Sequence, residues 1–313
     1  MTDPIFYRLM VLLAKIEGTY ATDPTLTGAA NGILAQNITI KPMEGQDVPR
    51  NLIQAYLSGQ ATIPAGLYID IDFDTEYAGS GTAGVAPGWG IFARAAGCAQ
   101  VIVADTSVTY TPISEAMESV YLKYWLGNTL HAIKGARADA TLGINAQGIP
   151  SIRWSVRGLF VDPAETARAT PTLTSFIKPL IANTTNTPVF TVNGISLVGR
   201  SYNFKLGNKL ETRFLIGSDN IPIVDRAESL DLVCQATPLT TIDPYGLAKA
   251  QTRVPAIVTH GITAGNIITL SAPTSQVKRP SGYQNNQGVA EWPLGLSPLP
   301  TAAGNDQFSM VLT

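Results

Sequence analysis

The hydrophobic pattern is clearest at Tyr68-Ile-Asp-Ile-Asp-Phe-Asp-Thr-Glu-Tyr77, where apolar and acidic residues alternate. Side chains on a strand point to opposite faces in turn. The stretch therefore predicts a strand with Ile69, Ile71 and Phe73 on one face and Asp70, Asp72, Asp74 and Glu76 on the other. Successive carboxylates on that face lie ~7 Å apart and repel. The stretch itself supplies no base to offset them.

Around it the pattern predicts other elements in order. Apolar positions at Ile5, Phe6, Leu9, Leu12, Leu13 and Ile16 have helical spacing over Ile5 to Glu17, with Asp3-Pro4 as cap and first-turn proline. Gly18 to Asn31 is polar and turn-rich and reads as an extended arm. Ile33 to Ile40 reads as a strand, followed by a long Gly/Pro-punctuated connection, Lys41 to Gly66. After the acidic strand come a short helix, Gly88 to Gly97, and strands at about 100–111, 119–126, 129–145 and 149–161. Gly127-Asn128 and Gln147-Gly148 read as hairpin turns.

The second half repeats this plan. Ser196 to Phe204 is a predicted strand, and Lys205 to Arg226 a second long connection. Ser229-Leu-Asp-Leu-Val-Cys234 takes the place of the acidic strand, and Pro244 to Gln251 the place of the short helix. Gln287-Gly288 answers Gln147-Gly148, and Gly295-Leu296 answers Gly158-Leu159. The reading is a mainly β chain of two tandem units, 1–165 and 191–313. They are joined by a Thr/Pro/Ala/Asn-rich linker, 166–190, anchored at Phe176-Ile177.

Composition narrows the function classes. The 313 residues are 45% hydrophobic, enough for a sizeable core. Only 14% are charged, against about a quarter in ordinary domains, which fits a surface largely covered by other copies of the chain. The net charge of −2 gives no basic stripe for tight binding of nucleic acid. Cys98 and Cys234 read as buried free thiols. The start of the chain is not read as a signal peptide, and no apolar run reaches the length of a membrane span.

The candidate sites each meet a plainer reading. Gly79-Ser-Gly-Thr-Ala-Gly84 matches a dinucleotide-binding loop literally, with Asp105 downstream. That fold needs a parallel strand buried on both faces before the glycines, whereas this strand is acidic on one. The carboxylates Asp70, Asp72, Asp74 and Glu76 fit neither a Ca²⁺ loop, which curls around its ion, nor a glycosidase pair, which comes from facing elements. His131 and His260 have no nucleophile or third ligand beside them. No catalytic residue, cofactor site or metal site is predicted.

An ordered set of segments resembles the major tail tube proteins of long-tailed (siphovirus-type) bacteriophages. It comprises Ala14 to Asn31, Ile40-Lys-Pro-Met-Glu-Gly45 with Arg50-Asn-Leu-Ile53, Gly88-Trp-Gly90, Ser107 to Pro112, Gly261 to Asn266 and Leu299 to Asp306. The resemblance implies two tail-tube-type β-sandwiches, each with a short flanking helix, whose sheets join between subunits into a closed β-barrel ring. It implies a non-enzymatic virion tail protein, assembled in the host bacterial cytoplasm, whose stacked rings carry double-stranded DNA without specific binding. The chain is about twice the length of the family's short members, so if both halves are tube domains three copies complete a pseudo-sixfold ring, with a ring of six chains as the alternative. Implied partners are the chain itself, a tape-measure protein in the lumen, a tail terminator and distal baseplate proteins, with no membrane. On this reading Asp70, Asp72, Asp74, Glu76 and Asp231 line the channel. Glu44, Asp47, Arg50, Tyr56, Glu211, Arg213 and Asp219 lie in ring-stacking loops. A different virion or fibre protein, or a carbohydrate-binding module, is the alternative.

Overall fold

The computed structural model describes residues 4–313. The first half contains β1 (Met10–Ile16), α1 (Gly28–Asn31), β2 (Gly32–Ile33), β3 (Gln36–Pro49), β4 (Thr62–Glu76), α2 (Gly90–Ala95), β5 (Cys98–Val103), β6 (Ser107–Pro112), β7 (Val120–Leu126), β8 (Thr129–Asn145), β9 (Ser151–Leu159) and β10 (Ala164–Glu165). The second contains β11 (Val189–Val192), β12 (Ile195–Ser196), β13 (Gly199–Lys205), β14 (Asn208–Leu210), β15 (Arg213–Leu215), β16 (Ser218–Asn220), β17 (Ile223–Arg226), β18 (Ser229–Gln235), α3 (Pro244–Ala250), β19 (Arg253–His260), β20 (Ile268–Val277), β21 (Gln284–Asn286), β22 (Val289–Pro298) and β23 (Ser309–Leu312). The chain is mainly β, with large antiparallel sheets and short helices.

The order of pairings in the first half recurs in the second. β3 pairs β4, β4 pairs β9, and β9 pairs the C-terminal part of β8. In the same way β13 pairs β18, β18 pairs β22, and β22 pairs the end of β20 and then β21. The start of β8 turns away to pair β7, which pairs β1, which pairs β2. Likewise β20 starts beside β19, which pairs β11, which pairs β12. The two runs are fused: Thr141–Asn145 at the end of β8 pairs Ser201–Lys205 of β13. One sheet, β3-β4-β9-β8-β13-β18-β22, therefore crosses the whole chain.

One core runs beneath that sheet through both halves. Phe73 meets Phe92 edge-on at 4.9 Å, and Trp154 lies 5.5 Å from Phe92. The buried indoles of Trp89 and Trp154 donate to the Ala78 carbonyl and the Thr75 hydroxyl, both at 2.8 Å, so these polar tips are satisfied. Arg226 of β17 donates to the carbonyls of Ala96 and Gly97 at 3.0 and 2.9 Å, closing the C-terminus of α2 from the second half.

Several expectations are corrected. In place of the helix over Ile5 to Glu17, Met10–Ile16 forms β1 and residues 5–9 are turn and irregular chain; the Asp3 part of the expected cap lies outside the described residues. Val11, Leu12, Leu13 and Ala14 are all buried, because β1 is covered on both faces, and a continuous apolar run does not distinguish such a strand from a helix. The arm Gly18 to Asn31 folds back onto its own chain. Buried Glu17 accepts the Ala21 and Gly135 amides at 2.8 and 2.7 Å, and the Tyr20 hydroxyl accepts the Ile221 amide at 2.8 Å. The two long connections are hairpins: β3 and β4 pair to Pro49 and Thr62, while β14–β17 encloses β15–β16. Register shifts in β3 accommodate the Pro42 and Gly45 region that made it read as loop. The linker is a strap along the first half. Phe176 and Ile177 do anchor it, packing where a Cβ on Gly88 or Gly81 would stand, and the Thr172 amide donates to Gly28 at 2.9 Å.

Candidate functional site

The acidic strand has the predicted geometry. Ile69, Ile71 and Phe73 are fully buried, while Asp70, Asp72, Asp74 and Glu76 lie half-buried on the opposite face of β4. The bases that the stretch itself lacks come from its neighbours: β9 brings two arginines beside it, and β3 sets exposed Lys41 opposite Asp70. Arg157, directly opposite Asp70, donates from Nε and Nη2 to its two carboxylate oxygens at 2.7 and 2.9 Å. Its guanidinium lies 4.6 Å from the centre of the Tyr68 ring. Arg153, opposite Asp74, reaches Asp74 at 3.1 Å and Asp72 at 3.7 Å. Asp74 also accepts the Asn37 side-chain amide at 2.7 Å. The signal was available: Ser151-Ile-Arg-Trp-Ser-Val-Arg157 alternates with the same period of two. What a lone strand pattern omits is which strand lies next to it.

Residues opposite each other in a ladder share a face, so this wall continues along the sheet. β8 adds Asp139, whose carboxylate accepts the Asn208 amide at 2.8 Å; burial pushes its carboxyl above the usual range. β13 and β18 place Asn203 opposite Asp231, which is exposed. Beside it stand Val233 on β18 and Gly295 and Pro293 on β22. At the end of this region Glu291 binds Arg200 through contacts of 2.6 to 2.9 Å, which hold its carboxyl below the usual range.

The predicted stacking residues divide between the two hairpins. Glu44 and Asp47 lie on β3, and Arg50 and Tyr56 in its tip; Arg213 and Asp219 lie on β15 and β16, with Glu211 just before them. Both tips expose large apolar side chains, Ile53 and Leu57 on one and Ile216 on the other. Phe214 packs against Gly66, so the hairpins lie side by side.

The remaining candidates have structural roles. In the glycine-rich loop the Gly79 amide meets the Asn266 side chain at 2.8 Å, and the Gly81 amide meets the Gly265 carbonyl at 3.0 Å. A Cβ on Gly79 would stand 2.0 Å from that carbonyl, so glycine serves close loop packing. Buried His260 shares a 3.0 Å hydrogen bond with Thr187, and burial lowers its pKa. Cys98 and Cys234 are buried free thiols. Among the described residues no group of three His, Cys, Asp or Glu is arranged to hold a metal ion, and no helix is long and apolar enough to cross a membrane. No family model and no curated protein matches the chain.

Proposed function

We propose that this chain is a tail tube subunit that builds hollow stacked rings for passage of double-stranded DNA. The observation that carries the reading is the sheet β3-β4-β9-β8-β13-β18-β22, in which one order of pairings occurs twice and the two runs are fused by β8 and β13. Such a chain acts as two consecutive tandem β-sandwich subunits, and three copies complete a pseudo-sixfold ring. A closed barrel of that many strands leaves an open channel and removes sheet edges that would otherwise recruit strands without control.

Two further features support it. The exposed apolar residues Ile53, Leu57 and Ile216 at the hairpin tips provide contacts for the next ring. The sheet face carrying Asp70, Asp72, Asp74, Glu76 and Asp231 provides the channel lining. Its ion pairs engage Arg153 and Arg157, and the exposed Lys41 and Lys205 on the same face are outnumbered by carboxylates, so the face holds phosphates weakly and a duplex slides. A tape-measure protein, a terminator and distal tail proteins are the partners such a tube requires, since stacking of identical rings has no intrinsic end.

Negative-stain microscopy of the purified protein tests the reading. Rings or tubes with an axial channel are expected. A monomer that stays unassociated at high concentration rules it out.

A further inference from the structure

The seam inside the chain is a template for a seam between chains. In the second half, the edge of β13 is covered by Thr141–Asn145 of β8 through five residue pairs, Lys205 opposite Thr141 to Ser201 opposite Asn145. The turn after β8 then enters the groove beside β11 to β13. Ile144, Ala146 and Gln147 line that groove together with Phe190, Leu197 and Ser201. The Ala146 amide donates to the Arg200 carbonyl at 2.8 Å, locking the turn in place.

The first half has the matching groove, and among the described residues no strand of the chain pairs there, although Pro171 and Leu173 line it and the Tyr7 hydroxyl donates to the Ile38 carbonyl at 3.4 Å. It lies beside β1, β2 and β3, measures about 910 Å³, and is lined by Met10, Leu12, Ile33, Gln36 and Thr39 among others. Among the described residues β3 itself pairs with β4 alone. At the far end of the sheet the counterpart of β8 is the run from β20 through β21, and among the described residues β21 pairs with β22 alone. The turns that follow are alike, with Gln147 and Gln287 both in the left-handed region at φ 63° and 53°.

We infer that the groove and open edge of β3 receive the segment Arg279–Gln287 of a second copy of this chain, reproducing between copies the β8–β13 seam within each. This rests on the ring-forming reading above and deepens it to named strands. Trp154 opposite Phe73 and Trp292 opposite Cys234 align β4 with β18, which makes Thr39 equivalent to Ser201. The Gln-Gly turns make Asn285 equivalent to Asn145. The intermolecular ladder therefore sets Thr39 opposite Asn285 of the neighbour. Continued in the antiparallel direction, it brings the neighbour's Lys278 and Arg279 alongside Glu44 to Asp47, so unlike charges meet.

Oxidative cross-linking tests this in the full-length chain. Thr39→Cys with Asn285→Cys is compared with Thr39→Cys with Tyr283→Cys, and with Asn145→Cys and Ser201→Cys as an internal control. The native thiols do not compete: Cys98 and Cys234 are buried, which pushes their pKa values up to about 12 and about 11. Covalent dimers and closed trimers are expected from a Thr39 pair, in at least tenfold excess over either single variant. In wild-type protein, hydrogen exchange at residues 36–41 and 279–286 is expected to slow on assembly. Tubes that form with neither cross-link nor protection overturn the seam but leave the tube reading intact. Absence of any assembly overturns both.

Discussion

β4 and β18 hold the same place in the two runs of pairings, yet only their inner faces agree. Ile69, Ile71 and Phe73 are matched by Leu230, Leu232 and Cys234, all buried. On the outer face Asp70 is matched by Asp231, but Asp72 and Asp74 give way to Val233 and Gln235. The neighbouring strands differ in step: β9 presents Arg157 and Arg153 where β22 presents Gly295 and Glu291. The acid row and the arginines thus occur together or not at all. The fold requires the inner face, because burial drives it. The charges outside are set as pairs, whose cost and benefit are both local.

The largest expected effect separates the inner faces. Phe73→Ala removes a fully buried ring and is expected to destabilise the protein by about 3–5 kcal/mol, read as a lower midpoint in urea. Cys234→Ala removes a single heavy atom, the sulfur, at the equivalent position and is expected to cost about 1 kcal/mol. Equal losses would break the equivalence of the two strands.

A smaller effect concerns the ion pairs. Arg157→Ala and Asp70→Ala, singly and together, are expected to yield a coupling energy of about 1 kcal/mol. The pair is bidentate but about a quarter exposed, so solvent screens part of it. No coupling would mean that the first-half wall is held by its strands alone.

The smallest effect is a pH dependence in the second half. Arg200 holds the Glu291 carboxyl below its usual value. The folded state therefore binds fewer protons than the unfolded state in that window. Its contribution is complete above the ordinary glutamate value, about 4.3, and is lost as pH falls through the folded value. Glu291→Gln is expected to flatten this part of the acid unfolding curve. The same carboxylate accepts the Asn286 side chain at 2.9 Å, so acidification also loosens the β21–β22 turn that the intermolecular seam would use.

Much of this was legible from periodicity. β4, β8, β18 and the Gln-Gly turns follow from alternation and turn chemistry, which act within a few residues. The helix expected at Ile5 to Glu17 failed because β1 is sandwiched between other elements. Double-sided burial erases the alternation by which a strand is recognised. The two hairpins were hidden by Pro and Gly, which the structure absorbs as bulges and tips.

The sequence by itself determined that Asp70, Asp72, Asp74 and Glu76 share a face, since side-chain alternation is a property of one strand. It also determined that the plan occurs twice, since repeated spacing survives in the chain. Only the tertiary structure decided that Arg153 and Arg157 pair with Asp70, Asp72 and Asp74 on that face and that β8 meets β13. Pairing partners and register join residues far apart in sequence, and those are fixed by how the shared core packs.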